Sequence, residues 1–129
     1  MKITEYVGNN IVIIEPHGRL TLETAQCFRK AIVKRVNGGW PGLILDLQHV
    51  NYVDSAGLGA LIRAHTLCQK CGIRLVFVHV SGKNLELLTI TKLLTVFEVY
   101  DTTFEAERSL RTSAERYAAP VGDHAVVTA

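Results

Sequence analysis

Asp54 and Ser55 stand side by side in NYVDSAGLGALIRAH, a carboxylate beside a hydroxyl where strand-prone residues give way to a helical run. Three kinds of chemistry would use such a pair. A nucleophilic serine on a strand–turn–helix elbow needs Gly-x-Ser-x-Gly. Here the sequence reads Val-Asp-Ser-Ala-Gly, without the first glycine. None of the five histidines (His17, His49, His65, His79 and His124) sits in a pattern dedicated to activating a serine. Hydrolase chemistry is therefore disfavoured. Capping is a second use: Ser and Asp oxygens accept the orphan N–H groups of a helix's first turn, an effect of ~1 kcal/mol. Phosphorylation is the third. The free N–H groups and the dipole of a helix start favour negative charge, and a phosphoserine carries about −1.5 to −2. Asp54 would oppose that charge while the helix end stabilises it. The fold would survive, and a partner packed there would meet a hydrated anion.

Capping does not explain Gly57 and Gly59, each costing a helix roughly 1 kcal/mol relative to alanine. Two readings stay open for them. The glycines either bare the helix start so that another protein can approach, or allow tight packing against a neighbouring strand. Other motifs carry less. Cys68 and Cys71 form a C-x-x-C at the C-terminal end of the helical run, with His65 three residues earlier. Thiol redox chemistry wants that motif at a helix N-terminus, and a closed zinc site wants a fourth ligand. Buried or half-buried structural thiols are expected instead. GLG at Gly57 to Gly59 is neither a Walker loop nor a full dinucleotide fingerprint, and GGWPG has no cationic follow-up.

The elements that must position Ser55 follow from pattern. KITEYV and IVIIEP flank the turn signal GNN and read as an antiparallel hairpin, with Pro16 closing its second strand. TLETAQCFRKAIVKRVN carries Leu22, Ala25, Phe28, Ile32, Val33 and Val36 at helical period, with Thr21 placed as N-cap and NGG as the stop. GLILDL is a continuous apolar run of the kind buried on both faces. A helix is expected from Ser55 to Cys71, with Leu58, Leu61, Ile62, His65 and Cys68 on one stripe and Gly72 ending it. IRLVFVHV reads as a strand, KNLELLTI as a short helix, VFEVYD as a last strand and TFEAERSLRTSAERY as a final helix. The tail AAPVGDHAVVTA has neither period nor length for an element and is expected to fray. Helices alternating with apolar strands argue for an α/β fold with a mostly parallel or mixed sheet.

Composition bounds the rest. The 129 residues make one domain's worth of chain, 48% hydrophobic and 20% charged, with a net charge of +2. No stripe of basic residues interleaved with aromatics supports nucleic-acid binding. No apolar run reaches the roughly 18–20 residues that span a bilayer, and MKITEYVGNN lacks a signal-peptide core. Three cysteines do not make a disulfide framework, so a reduced, cytoplasmic protein is expected.

LILDLQHVNYVDSAGLGALIRAH resembles the core of STAS domains of the anti-sigma factor antagonist family, where a buried strand leads to Asp-Ser-Ser/Thr/Ala-Gly-Leu/Ile-Gly. The similarity extends more weakly from Lys2 to about Arg111, taking in HGRLTLETA and the run from Ile73 to Ala106. The resemblance implies a mixed four- to five-stranded sheet with helices mainly on one side, over residues 1–111; residues 112–129 lie outside it and are expected to be a partly disordered C-terminal extension. It implies partner switching. The unmodified antagonist binds an anti-sigma factor, often a GHKL-type serine kinase, and frees the sigma factor; the kinase phosphorylates the serine and a serine phosphatase resets it. Carried onto this chain, Ser55 is the phosphoacceptor and Asp54 the carboxylate that helps present it. Ala56, Gly57, Leu58, Gly59 and Thr21 join them in the partner-binding surface. ATP and Mg²⁺ belong to the kinase, so the protein needs no cofactor and is a substrate rather than an enzyme. Two departures stand out. Thr21 replaces an aspartate found in many members, which withdraws support for a contact or loop bond made by that carboxylate. Ala56 replaces a frequent second hydroxyl, which leaves Ser55 as the one acceptor. A competing role is a STAS accessory subunit of a membrane transport complex, a permanent partner rather than a switch.

Overall fold

The chain opens with the expected hairpin, β1 (Lys2–Gly8) and β2 (Ile11–Leu20), in a computed structural model that describes residues 1–115 and 127–128. Asn9 and Asn10 make the turn, both at positive φ of 56° and 65°, the backbone a tight two-residue hairpin demands. Pro16 does not close β2. The strand runs through it to Leu20 because β2 changes parallel partner there. Ile11–Ile14 pair with β3 (Gly42–Asp46), and Gly18–Leu20 pair with β4 (Val50–Val53). Neither parallel pairing includes Pro16, so its missing N–H costs those ladders nothing.

The remaining elements are α1 (Ala25–Asn37), α2 (Ser55–Lys70), β5 (Arg74–Val78), α3 (Gly82–Ile90), a 3₁₀ turn at Leu93–Thr95, β6 (Glu98–Tyr100) and α4 (Thr103–Glu115). Five strands run in the order β6-β5-β3-β2-β1 through a mixed sheet of seven, completed by β4, which pairs with β2, and by one further short strand on β1. A two-residue strand, β7 (Val127–Thr128), pairs with β1. These two residues of the tail AAPVGDHAVVTA thus form an element where none is expected; its residues 118–126 and 129, with the last two of the expected final helix, 116 and 117, lie outside the described residues.

Strand alternation sorts the core into two layers. Val12, Ile14, Leu43, Leu45, Leu75 and Phe77 face α1, α2 and α3, meeting Phe28, Ile32, Leu61 and Leu88. Ile11, Ile44, Val76 and Val78 face the other way, where Ala106 and Leu110 of α4 cover them. β3 and β5 thus bury both faces, which is why their sequences are continuous apolar runs. Three helices lie on one side and one on the other.

Arg74 fixes α4 to the sheet edge. Its guanidinium donates to the Glu98 carboxylate, to the Ser109 carbonyl at 3.1 Å and to Ser109 Oγ at 2.6 Å. The pairing raises the Arg74 pKa and lowers that of Glu98. Arg74→Met is expected to speed amide hydrogen exchange in α4 well beyond any change in α2. Equal exchange in the two helices would show the network to be decorative.

Candidate functional site

Three segments meet at the start of α2, and Asp54 joins them. Its backbone is extended (φ −92°, ψ −175°), as an N-cap requires, and its Oδ1 accepts the Gly57 N–H at 2.8 Å. Its Oδ2 reaches across to accept the Leu22 N–H at 3.1 Å. Its own N–H donates to the Leu20 carbonyl at 3.2 Å. One carboxylate therefore caps α2 and tethers the loop between β2 and α1.

This division of labour leaves the Ser55 hydroxyl out of the cap. The cap is Asp54, so Ser55 is left as the first helical residue, exposed, its hydroxyl without a hydrogen bond among the described residues. Gly57 and Gly59 separate just as cleanly. Gly57 is buried, and a Cβ there would lie 2.0 Å from the Leu20 carbonyl oxygen. It serves the close approach of helix to strand and offers no surface to a partner. At Gly59 a Cβ would meet only the Arg63 guanidinium, at 3.2 Å. Ala56, Leu58 and Gly59 are half-buried around the helix start.

Thr21 is not the cap of α1. That position belongs to Thr24, and the helix begins at Ala25. Thr24 Oγ1 accepts the Thr21 N–H at 2.9 Å and donates to the Arg19 carbonyl at 2.7 Å, so Thr24 and Asp54 supply the bonds that hold this loop. Leu22 consequently leaves the helical stripe and stands 76% exposed beside Asp54. Arg19 lies over the ring of half-exposed Tyr52, 4.5 Å from its centroid. Leu22, Arg19 and Tyr52 extend the surface around Ser55, and nothing in their local sequence marks them.

Elsewhere on α2, Ile62 is exposed rather than on the core stripe, and Ala60 and Ala64 take the buried positions. Cys68 is buried, which pushes its thiol pKa up to about 11, while Cys71 is exposed at the helix end and Cys27 is exposed on α1. A thiol held so far from ionisation is inert, and His65 packs against Phe97 at 5.2 Å rather than serving Cys68.

The Asp54 carboxyl is held below its ordinary pKa of 3.8, chiefly by the Gly57 N–H; burial opposes this, and the Leu22 and Ala56 N–H groups and the Arg19 charge add to it. A depressed folded pKa means that the stabilisation is fully present above about pH 4 and is lost as pH falls through the folded value. Asp54→Asn keeps an acceptor but not the charge. Urea midpoints of wild type and variant are expected to differ at pH 6 and to converge in strong acid; a constant gap would contradict the assignment.

A mixed sheet with three helices on one face and one on the other is the fold of the STAS domain. Residues 2–106 match that family, and the chain belongs to it. A Thermotoga maritima protein described as a candidate anti-sigma factor antagonist is 28% identical over 106 residues, covering 81% of this chain and 94% of the relative. A crystal structure of a T. maritima protein of that description superposes with a TM-score of 0.75 at 28% identity, covering 80% of this chain and 89% of that one. The anti-sigma factor antagonist SpoIIAA, in its unphosphorylated form, superposes at 0.62 with 20% identity over 83% of this chain and 93% of its own. A sulfate transporter family protein from Wolinella succinogenes superposes at 0.73 with 21% identity, covering 83% of this chain and 89% of that one. These last two share the fold. No helix among the described residues is long and apolar enough to cross a membrane.

Proposed function

We propose that this protein is an anti-sigma factor antagonist acting by partner switching, with Ser55 as its phosphoacceptor. The observation that carries the proposal is the exposed Ser55 hydroxyl, freed from capping by Asp54 at a helix start whose N–H groups favour an anion. The names of the Thermotoga relatives support the general role. In the unmodified state an anti-sigma factor, itself a serine kinase, docks on Ser55, Ala56, Leu58, Gly59, Thr21 and the exposed Leu22, with Arg19 and Tyr52 at the margin. Gly57 supports this surface from beneath. Phosphate transfer to Ser55 puts a dianion in the middle of the interface and ejects the partner, and a serine phosphatase restores docking. ATP and Mg²⁺ stay with the kinase; the antagonist itself is a cytoplasmic substrate and not a catalyst.

The test is direct. Incubation with ATP and a serine kinase encoded near its gene should place a single phosphate on Ser55, located by mass spectrometry, and none on Ser55→Ala. Absence of both phosphate and binding with every such kinase would overturn the proposal. A permanent subunit of a transport complex would instead co-purify with a membrane ATPase and tolerate both Ser55→Ala and Ser55→Asp.

A further inference from the structure

A second cluster of chemistry-bearing side chains lies away from Ser55. Glu15 and His17 are two apart on β2 and so point to one face of the sheet. Ile13, two residues earlier, packs with the layer that α4 covers, which places the pair on the α4 side. The turn between β3 and β4 brings His49 to the same spot, its carbonyl accepting the Gly18 N–H at 2.9 Å. His17 Nε2 lies 3.1 Å from Glu15 Oε1, and His49 Nε2 lies 3.6 Å from the same oxygen. All three ligand atoms fall within 4.8 Å of one another.

We propose that Glu15, His17 and His49 form a binding site for a zinc-class divalent cation, which ties β2 to the turn that leads into β4. The donor set is two imidazoles and a carboxylate, the ligand type that suits Zn²⁺ and its neighbours in the first transition row. Metal–ligand bonds of ~2.0–2.1 Å at tetrahedral angles put ligand atoms ~3.3–3.4 Å apart. The two Glu15 separations bracket that edge. Three protein ligands leave a fourth position for water or an external group.

Some rearrangement is built in. The two rings are stacked, 4.6 Å between centroids and 6° from parallel, and one ion cannot lie in both of two parallel ring planes. His49 is the ring that turns, since its side chain is 46% exposed while that of His17 is 29% exposed. Thr4 Oγ1, 3.2 Å from His17 Nε2, gives up that contact when the nitrogen takes the ion. Lys2 stands opposite His17 in the β1–β2 ladder, and its ammonium opposes a nearby cation. An ion held here would immobilise His49, which immediately precedes β4, the strand that ends beside Asp54.

Equilibrium titration of the full chain with ZnCl₂, after stripping with a chelator, tests the site. One equivalent is expected to bind and to raise the melting temperature. His49→Ala and Glu15→Gln should each weaken binding about tenfold or more, as loss of a direct ligand exceeds the 10–100-fold seen for outer partners at its low end. Lys2→Ala should tighten it. Exposed Cys27 and Cys71 are the competing donors. With Co²⁺ as probe, the spectrum should lack thiolate charge transfer, and Cys27→Ser/Cys71→Ser should bind as before. His49 is surface-placed, so far-UV CD of His49→Ala should stay native. No binding at 100-fold molar excess of zinc, or binding unchanged by His49→Ala and Glu15→Gln, would overturn the site.

Discussion

Gly57→Ala is expected to lower stability by about 2 kcal/mol and the melting temperature by roughly 5–10 °C. The added Cβ would sit 2.0 Å from the Leu20 carbonyl oxygen and 2.8 Å from its carbon, both backbone atoms at the end of β2. No rotamer relieves a clash with backbone. Either α2 lifts away from the sheet, or the Asp54 N–H to Leu20 carbonyl bond breaks and the cap goes with it. Alanine's better helix propensity returns roughly 1 kcal/mol, which is too little. Gly59→Ala is the control. Its Cβ meets only the mobile end of Arg63, so the same substitution should be neutral or stabilising by up to about 1 kcal/mol. Urea denaturation of both variants measures the contrast. Equal effects at the two positions would mean that helix–strand contact is not what requires Gly57.

Ser55→Asp is expected to weaken partner binding by roughly 100-fold or more, because a buried unpaired charge at an interface costs several kcal/mol. The fold should not notice. Ser55 is exposed at the first helical position, where an acidic group is favoured by ~0.3–1 kcal/mol, offset by the neighbouring Asp54 carboxylate. Far-UV CD and melting should therefore match wild type while binding collapses. Ser55→Ala should bind normally and resist inactivation by the kinase. An unfolded Ser55→Asp, or one that binds as wild type does, would contradict a switch that acts on docking alone.

The start of α2 was legible in the sequence because independent local signals converge there. Asp54 is a capping residue, the apolar stripe takes up after it, and Gly72, at φ +70°, ends the helix one residue past its cap at Cys71. The alternation of apolar runs and helices gave the mixed sheet for the same reason. What sequence could not show depends on contacts between distant segments. Leu22 keeps helical spacing with Ala25 and Phe28, and it is held outside α1 by its bond to Asp54, 32 residues away, together with the loop bonds of Thr24. Both readings of the glycines were open until the Leu20 carbonyl was placed beneath Gly57. Arg19 and Tyr52 face each other only because β2 pairs with β4 after leaving β3. His49 joins Glu15 and His17 by the same exchange of partners.

Phosphate on Ser55 is expected to control docking. The most direct measurement is the affinity of the anti-sigma factor kinase for this protein before phosphorylation, after stoichiometric phosphorylation at Ser55, and after treatment with a serine phosphatase. Binding should fall by roughly 100-fold or more on modification, at least as far as for Ser55→Asp, and return on dephosphorylation. An affinity that stays the same through all three states would contradict the account.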